Sequence, residues 1–183
     1  MQIATRQLLK ELSEQVTEHR LQATRWLQWT DTELNFKPAP DSWSMLECIE
    51  HLNRYGDFYI PEIEKRLQSN TSQPGAIFKS GWLGNYFAQS MLPGERMKTM
   101  KAFAAMNPSG STLGKEVLQT FIQQQTQLLV LLEQAAKVSL TRTRTAISIS
   151  RLLTLRLGDT FRFVIYHNHR HVWQAQRLYP ETP

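Results

Sequence analysis

The chain has 183 residues, 41% hydrophobic and 10% aromatic, which gives it apolar surface for a core and excludes global disorder. Its 21 basic and 16 acidic residues give a formal charge of +5, but the signs are interspersed and no Lys/Arg block marks a nucleic-acid arm. Cys48 is the only cysteine, so an intramolecular disulfide, CxxC redox chemistry and an iron–sulfur cluster built from this chain alone are excluded.

The N-terminal MQIATRQLLKELSEQ is charged and amphipathic and lacks the apolar core of a signal peptide. No stretch approaches the roughly 20 apolar residues of a membrane span. A soluble cytoplasmic protein of one domain over 1–183, without a membrane partner, is expected. The spacing of Leu8, Leu12, Val16, His19, Ala23 and Trp26 predicts a first helix from Ile3 to Trp29. TDTELNFKPAPDS follows as a turn-rich connection. A second helix is expected from Asp41 or Ser42 to Gln68, with Ser44 and Glu47 spaced as a capping box and a kink or break at Pro61. Its inward stripe is Glu47, Cys48, His51, Tyr55 and Phe58.

Residues 69–110 read as a long irregular crossover with a short helix around Tyr86–Met91. Its aromatics and methionines (Phe78, Trp82, Tyr86, Phe87, Met97, Met100, Phe103) predict that it packs down as a lid or wall. The third helix, Ser111 to Lys137, buries Val117, Phe121, Leu128, Leu131 and Ala135. The next stretch carries Lys137, Arg142, Arg144, Arg151 and Arg156 without an acid, and its alternation over 141–150 suggests an extended connection. A solvated face is the expected role of these cations, with anion binding the alternative. The last helix runs from Asp159 to Leu178. Four helices with one long and one medium crossover make an all-α four-helix bundle.

The last helix contains YHNHRHVWQAQR, in which three histidines fall within five residues. Helical phase separates them. Thr160, Val164, His167, His171, Gln174 and Leu178 share the inward face, while His169 lies about 200° from His167 on the outer side with Arg162 and Gln176. A buried imidazole needs partners for both nitrogens, and a bare one costs about 1–3 kcal/mol. His51, His167 and His171 converging in one core would be satisfied by a divalent ion. A lone i,i+4 pair on an amphipathic surface is the competing reading. His19 is expected to be a satisfied core histidine rather than a fourth ligand.

PAPDSWSMLECIEHLNRYGDFY resembles the "WS…E…HL" segment of the DinB/YfiT-like superfamily, and HNHRHVWQAQR resembles its closing H-x-x-x-H helix. MKTMKAFAAMNPSG, the Gln-rich third helix and LRLGDTFRFVIYH are also similar to that family, in the same order. The resemblance implies a bundle of up-down-down-up order, a metal held by His51, His167 and His171, and a homodimer. Three neutral imidazoles with open positions suit zinc or nickel, and also iron or copper. The family resemblance implies a metal-dependent enzyme, either a low-molecular-weight-thiol S-transferase or a hydrolase acting on a small-molecule substrate. The alternative is a stress-response module that binds metal or a small ligand without turnover, and nucleic-acid binding ranks below both. Glu47, one turn before His51, is the candidate catalytic base, with a capping-box glutamate as the equal alternative. Gln174 either supports a ligand or lies on plain helix surface, and Trp43 and Tyr55 are expected to be core aromatics.

Overall fold

A computed structural model describes residues 1–93 and 102–178 of the protein. The chain is mostly helical. Its elements are β1 (Gln2–Ala4), α1 (Thr5–Trp26), α2 (Asp31–Leu34), α3 (Met45–Gln68), β2 (Ile77–Lys79), α4 (Trp82–Met91), a 3-10 turn at Ala104–Met106, α5 (Glu116–Ala135), β3 (Arg144–Ile147), β4 (Ser150–Arg156) and α6 (Leu157–Gln176). The four long helices close a ring in which α1 and α3 each pack against α5 and α6. The all-α expectation is amended by two small antiparallel sheets, β1–β2 and β3–β4.

The helix ends follow local chemistry. Ser44 Oγ accepts from Glu47 N at 3.2 Å while Glu47 Oε2 accepts from Ser44 N at 2.9 Å, closing the expected capping box of α3. That helix runs through Pro61 without a break, and Pro61 lies on its exposed side. The turn-rich stretch before it contains the one-turn helix α2, held by a second capping box between Thr30 and Glu33. α1 and α6 have no side-chain N-cap. Their first amides instead find backbone carbonyls of the crossovers: Thr5 N to Ala76 O, Leu157 N to Thr143 O and Gly158 N to Leu140 O. Residues 2–4 pair with residues 77–79 in register Ile3↔Phe78, although Ile3 and Ala4 were expected to open the first helix. Sheet pairing satisfies those backbone groups as a helix would, and it anchors the crossover.

Part of the crossover packs down as expected: Phe78 is fully buried, and its ring meets α6 at Gly158, where an added Cβ would come within 2.5 Å of it. The rest departs from the expectation, because Trp82, Tyr86 and Phe103 are exposed. Met97 and Met100 lie outside the described residues. Arg162, expected on the outer side of the last helix, is fully buried. It donates to Asp159 Oδ1 at 3.1 Å, Ser80 Oγ at 3.0 Å and Asn85 Oδ1 at 3.0 Å. Asp159 also accepts from Ser80 Oγ and from Gly81 N. A buried charge is tolerated when paired and hydrogen-bonded, and this network docks α4 onto α6.

The buried apolar residues form two clusters. One contains Leu8, Leu12, Tyr59, Ile63, Leu131 and Phe161, and the other contains Trp26, Leu46, Ile49, Leu118, Phe121 and Val172. On each long helix the boundary between clusters is polar: His19 and Gln22 on α1, His51 and Asn53 on α3, Gln124 and Gln125 on α5, His167 and Asn168 on α6, all buried. The functional candidates sit in this polar waist.

Candidate metal centre

Asn53 and Gln124 knit α3 to α5 within the waist. Asn53 Nδ2 donates to Val117 O at 2.9 Å, and Gln124 Nε2 donates to Asn53 O at 3.0 Å and Asp57 Oδ1 at 2.9 Å. Asn168 Nδ2 reaches Gln125 Oε1 at 3.2 Å, joining α6 to α5. These bonds fix the helices that carry the histidines. Gly56 contributes by having no side chain, since an added Cβ would lie 2.0 Å from Gln124 Oε1.

His51, His167 and His171 offer ligand nitrogens that all lie within 4.8 Å of one another. His51 Nε2 and His167 Nε2 are 3.2 Å apart. At the metal–nitrogen distance usual for zinc, two tetrahedral ligand nitrogens stand about 3.3 Å apart, so this pair already matches such an ion. His51 Nδ1 lies 2.6 Å from Met106 O. A carbonyl only accepts, so that nitrogen carries the proton and Nε2 keeps its lone pair. His171 Nδ1 donates in the same way to Gln174 Oε1 at 2.9 Å. Two rings are thereby oriented from behind, as metal-binding histidines require.

Burial disfavours the charged form of all three. It is the main cause that lowers His51, holds His167 well below its usual value and pushes His171 down to about 3, and neighbouring histidines add to the effect on His167 and His171. Neutral imidazole is the form that binds metal. Aromatic rings wall the cluster. Trp43 lies 4.8 Å from His51 and 5.7 Å from His171, Tyr55 lies 4.6 Å from His167, and Phe163 stacks on His167 at 5.8 Å. A cavity of about 470 Å³ elsewhere in the fold is lined by Phe58 and residues 146–150, with none of the three histidines.

A family model described as the DinB superfamily matches residues 3–175. The chain belongs to the DinB superfamily. No curated protein and no solved structure gives a significant match.

Within this DinB chain the remaining candidates separate by position. Glu47 is buried and its carboxylate is occupied by Ser44 N, by Gly110 N at 3.1 Å and by Lys37 Nζ at 2.7 Å. Gln174 supports His171. His169 is not a solvent-facing bystander: it is half-buried, and its Nδ1 lies 3.4 Å from Nε2 of the buried His19. Helical phase set it opposite His167, and α1 covers that side. His19 is a core histidine as expected, held down to about 3 by burial and then by His169, but its Nδ1 lacks a hydrogen-bond partner among the described residues. The Met106 carbonyl was missed, because a backbone acceptor 55 residues from His51 leaves no signature in side-chain spacing. Phe163 was missed as well, although its place one turn before His167 was a usable signal.

Proposed function

We propose that the chain is a divalent-metal-binding DinB protein in which His51, His167 and His171 hold the ion and leave positions for a substrate, in a bundle of up-down-down-up order. The observation that carries this reading is the convergence of the three side chains, whose ligand nitrogens all lie within 4.8 Å of one another while Met106 O and Gln174 Oε1 engage the Nδ1 atoms of His51 and His171. Zinc or nickel is the expected ion, with iron or copper compatible with the same donors. Bound there, the ion would supply a Lewis acid that acidifies a thiol or a water.

The protein's own residues prepare that chemistry. Met106 O and Gln174 Oε1 hold two rings in place, and burial keeps the imidazoles neutral. Tyr55, pushed up to about 12 by burial, stays protonated and presents its ring to His51 and His167. Among the described residues the cluster of candidate ligands contains no carboxylate. Glu47 holds the Ser44, Gly110 and Lys37 groups and so acts as a structural residue rather than a base. A low-molecular-weight thiol, acidic enough to react without an adjacent base, therefore ranks ahead of water, and S-transfer ahead of hydrolysis. A homodimer belongs to the same proposal on the family resemblance, and sedimentation equilibrium measures it.

The experiment combines elemental analysis of protein purified without chelator with conjugation of a small thiol to a generic electrophile. Near-stoichiometric zinc or nickel, and turnover lost together with metal in His51→Ala and His171→Ala, are expected. A chain that contains no metal and takes up neither added zinc nor added nickel would sink the site. Full metal loading without turnover on thiol or ester substrates would leave the non-catalytic binding module.

A further inference from the structure

The β3–β4 hairpin carries an outward surface that the metal centre does not use. Its inward residues, Thr145, Ile147 and Leu155, are buried, while Arg142 and Arg144 point outward and are exposed. The register pairs Arg144 directly with Arg156, two like charges opposite each other on one face. Such a pair is destabilising in an isolated sheet. Lys79 joins them, because Arg156 donates to Lys79 O and Lys79 N donates to Thr141 Oγ1. Among the described residues none of Lys79, Arg142, Arg144 and Arg156 forms an ion pair. The next acid along the chain, Asp159, is fully buried and committed to Arg162.

The tip of the hairpin is apolar. Ala146 pairs with Thr154 and Ile147 with Ser150, so the register leaves 151–153 unmatched on β4 and pushes that stretch out of the ladder. Leu152 is 94% exposed, with Leu153 and Ile149 beside it at 44% and 47%. A single exposed leucine is ordinary, but three apolar side chains at one tip above unpaired cations form a patch. On β4, Arg156 is three residues from Leu153, about 10 Å along a strand. That separation lets leucines reach the acyl boundary, roughly 5–10 Å deep, while guanidiniums remain among headgroups.

We propose that this hairpin docks the protein on an anionic lipid surface. The leucines enter the interface and Lys79, Arg142, Arg144 and Arg156 bind the headgroup phosphates. A second copy of this chain fits worse, because it would set the same cations against one another. A nucleic acid would satisfy the cations and leave the leucines in water. The proposal revises the expectation of no membrane partner, which rested on the absence of a spanning segment. Among the described residues no helix is long and apolar enough to cross a membrane, and interfacial docking needs none.

The test is co-sedimentation of the full chain with vesicles of phosphatidylcholine alone and of phosphatidylcholine mixed equally with phosphatidylglycerol. Binding at least about tenfold tighter to the anionic vesicles is expected, weakening with salt. Arg144→Glu with Arg156→Glu should abolish it. Leu152→Ser with Leu153→Ser, which leaves the charge unchanged, should weaken it about tenfold at fixed salt while the helical circular dichroism is unchanged. Equal binding of the leucine variant and the wild type would overturn the proposal, because charge alone would then account for the attraction. Failure to sediment with anionic vesicles would overturn it too, and salt-steep binding of a DNA duplex in that case would assign the cations to nucleic acid.

Discussion

Removing the Glu47 carboxylate distinguishes a side chain that holds the fold from one that reacts. Glu47 is 1% exposed and serves three donors: Ser44 N at 2.9 Å, Gly110 N at 3.1 Å and Lys37 Nζ at 2.7 Å. Glu47→Ala opens the capping box, at about 1 kcal/mol. It also strands the amide of the buried Ser44, at about 1–3 kcal/mol, whereas Gly110 is exposed and water compensates its amide. Lys37 is one-third exposed, so water compensates most of its lost ion pair. The expected total is about 3 kcal/mol, or a fall in Tm of roughly 6–12 °C for a chain of this size. Glu47→Gln keeps one acceptor oxygen and should cost about half as much. Thermal and urea unfolding followed by circular dichroism, with chelator present, measure both. An alanine variant within about 0.5 kcal/mol of wild type would refute the holding role. So would a glutamine variant of normal stability and full metal content that had lost turnover, since Glu47 would then be reacting directly.

Gln174→Leu removes the acceptor behind His171 and should weaken metal binding about 10–100-fold in competition with a chromophoric chelator, with unfolding in chelator nearly unchanged. His19 and His171 are held near 3 by burial, and His51 and His167 are lowered as well. Below about pH 6.5 the unfolded chain takes up protons that the folded chain refuses. The metal-free protein should therefore keep its full stability above that pH and lose about 1.4 kcal/mol per pH unit for each of His19 and His171 as pH falls toward 3, with His51 and His167 acting in the same direction. Urea midpoints in chelator that stay flat from pH 7 to 5 would contradict the burial of these rings. Gly84→Ala places a Cβ 2.5 Å from Asp159 Cβ, Cγ and Oδ2. It should cost about 1–3 kcal/mol and loosen α4 first, which amide exchange in residues 82–91 would detect.

Much of the fold could be read from local pattern. The three-and-four spacing of Leu8, Leu12, Val16, Ala23 and Trp26 located α1, and all five are buried. Ser44 and Glu47 marked the start of α3 through a bond that spans only three residues. Helical phase brought out the His167–His171 pair and put His51 on the inward stripe of the second helix, and the motif resemblance implied the three as one ligand set. Each of these signals resides within one helix or one short motif. The misread features depend on distant partners. Ile3 is a strand residue because Phe78 lies opposite it. Arg162 is buried because Ser80 and Asn85 close over it from the crossover. His169 turns from solvent to His19 because α1 lies against that side of α6.

The sequence by itself determined the helices, the apolar stripes and the residue types at the polar waist, since these follow from periodicity and capping over a few residues. Tertiary structure decided which nitrogens of His51 and His171 are bare, because Met106 O and Gln174 Oε1 take the protons on the other side. It also decided that Glu47 is occupied and that Leu152 stands clear of the ladder. Those outcomes depend on backbone carbonyls, amides and strand register brought together from separate parts of the chain. Such groups are the same at every position, and only packing selects among them.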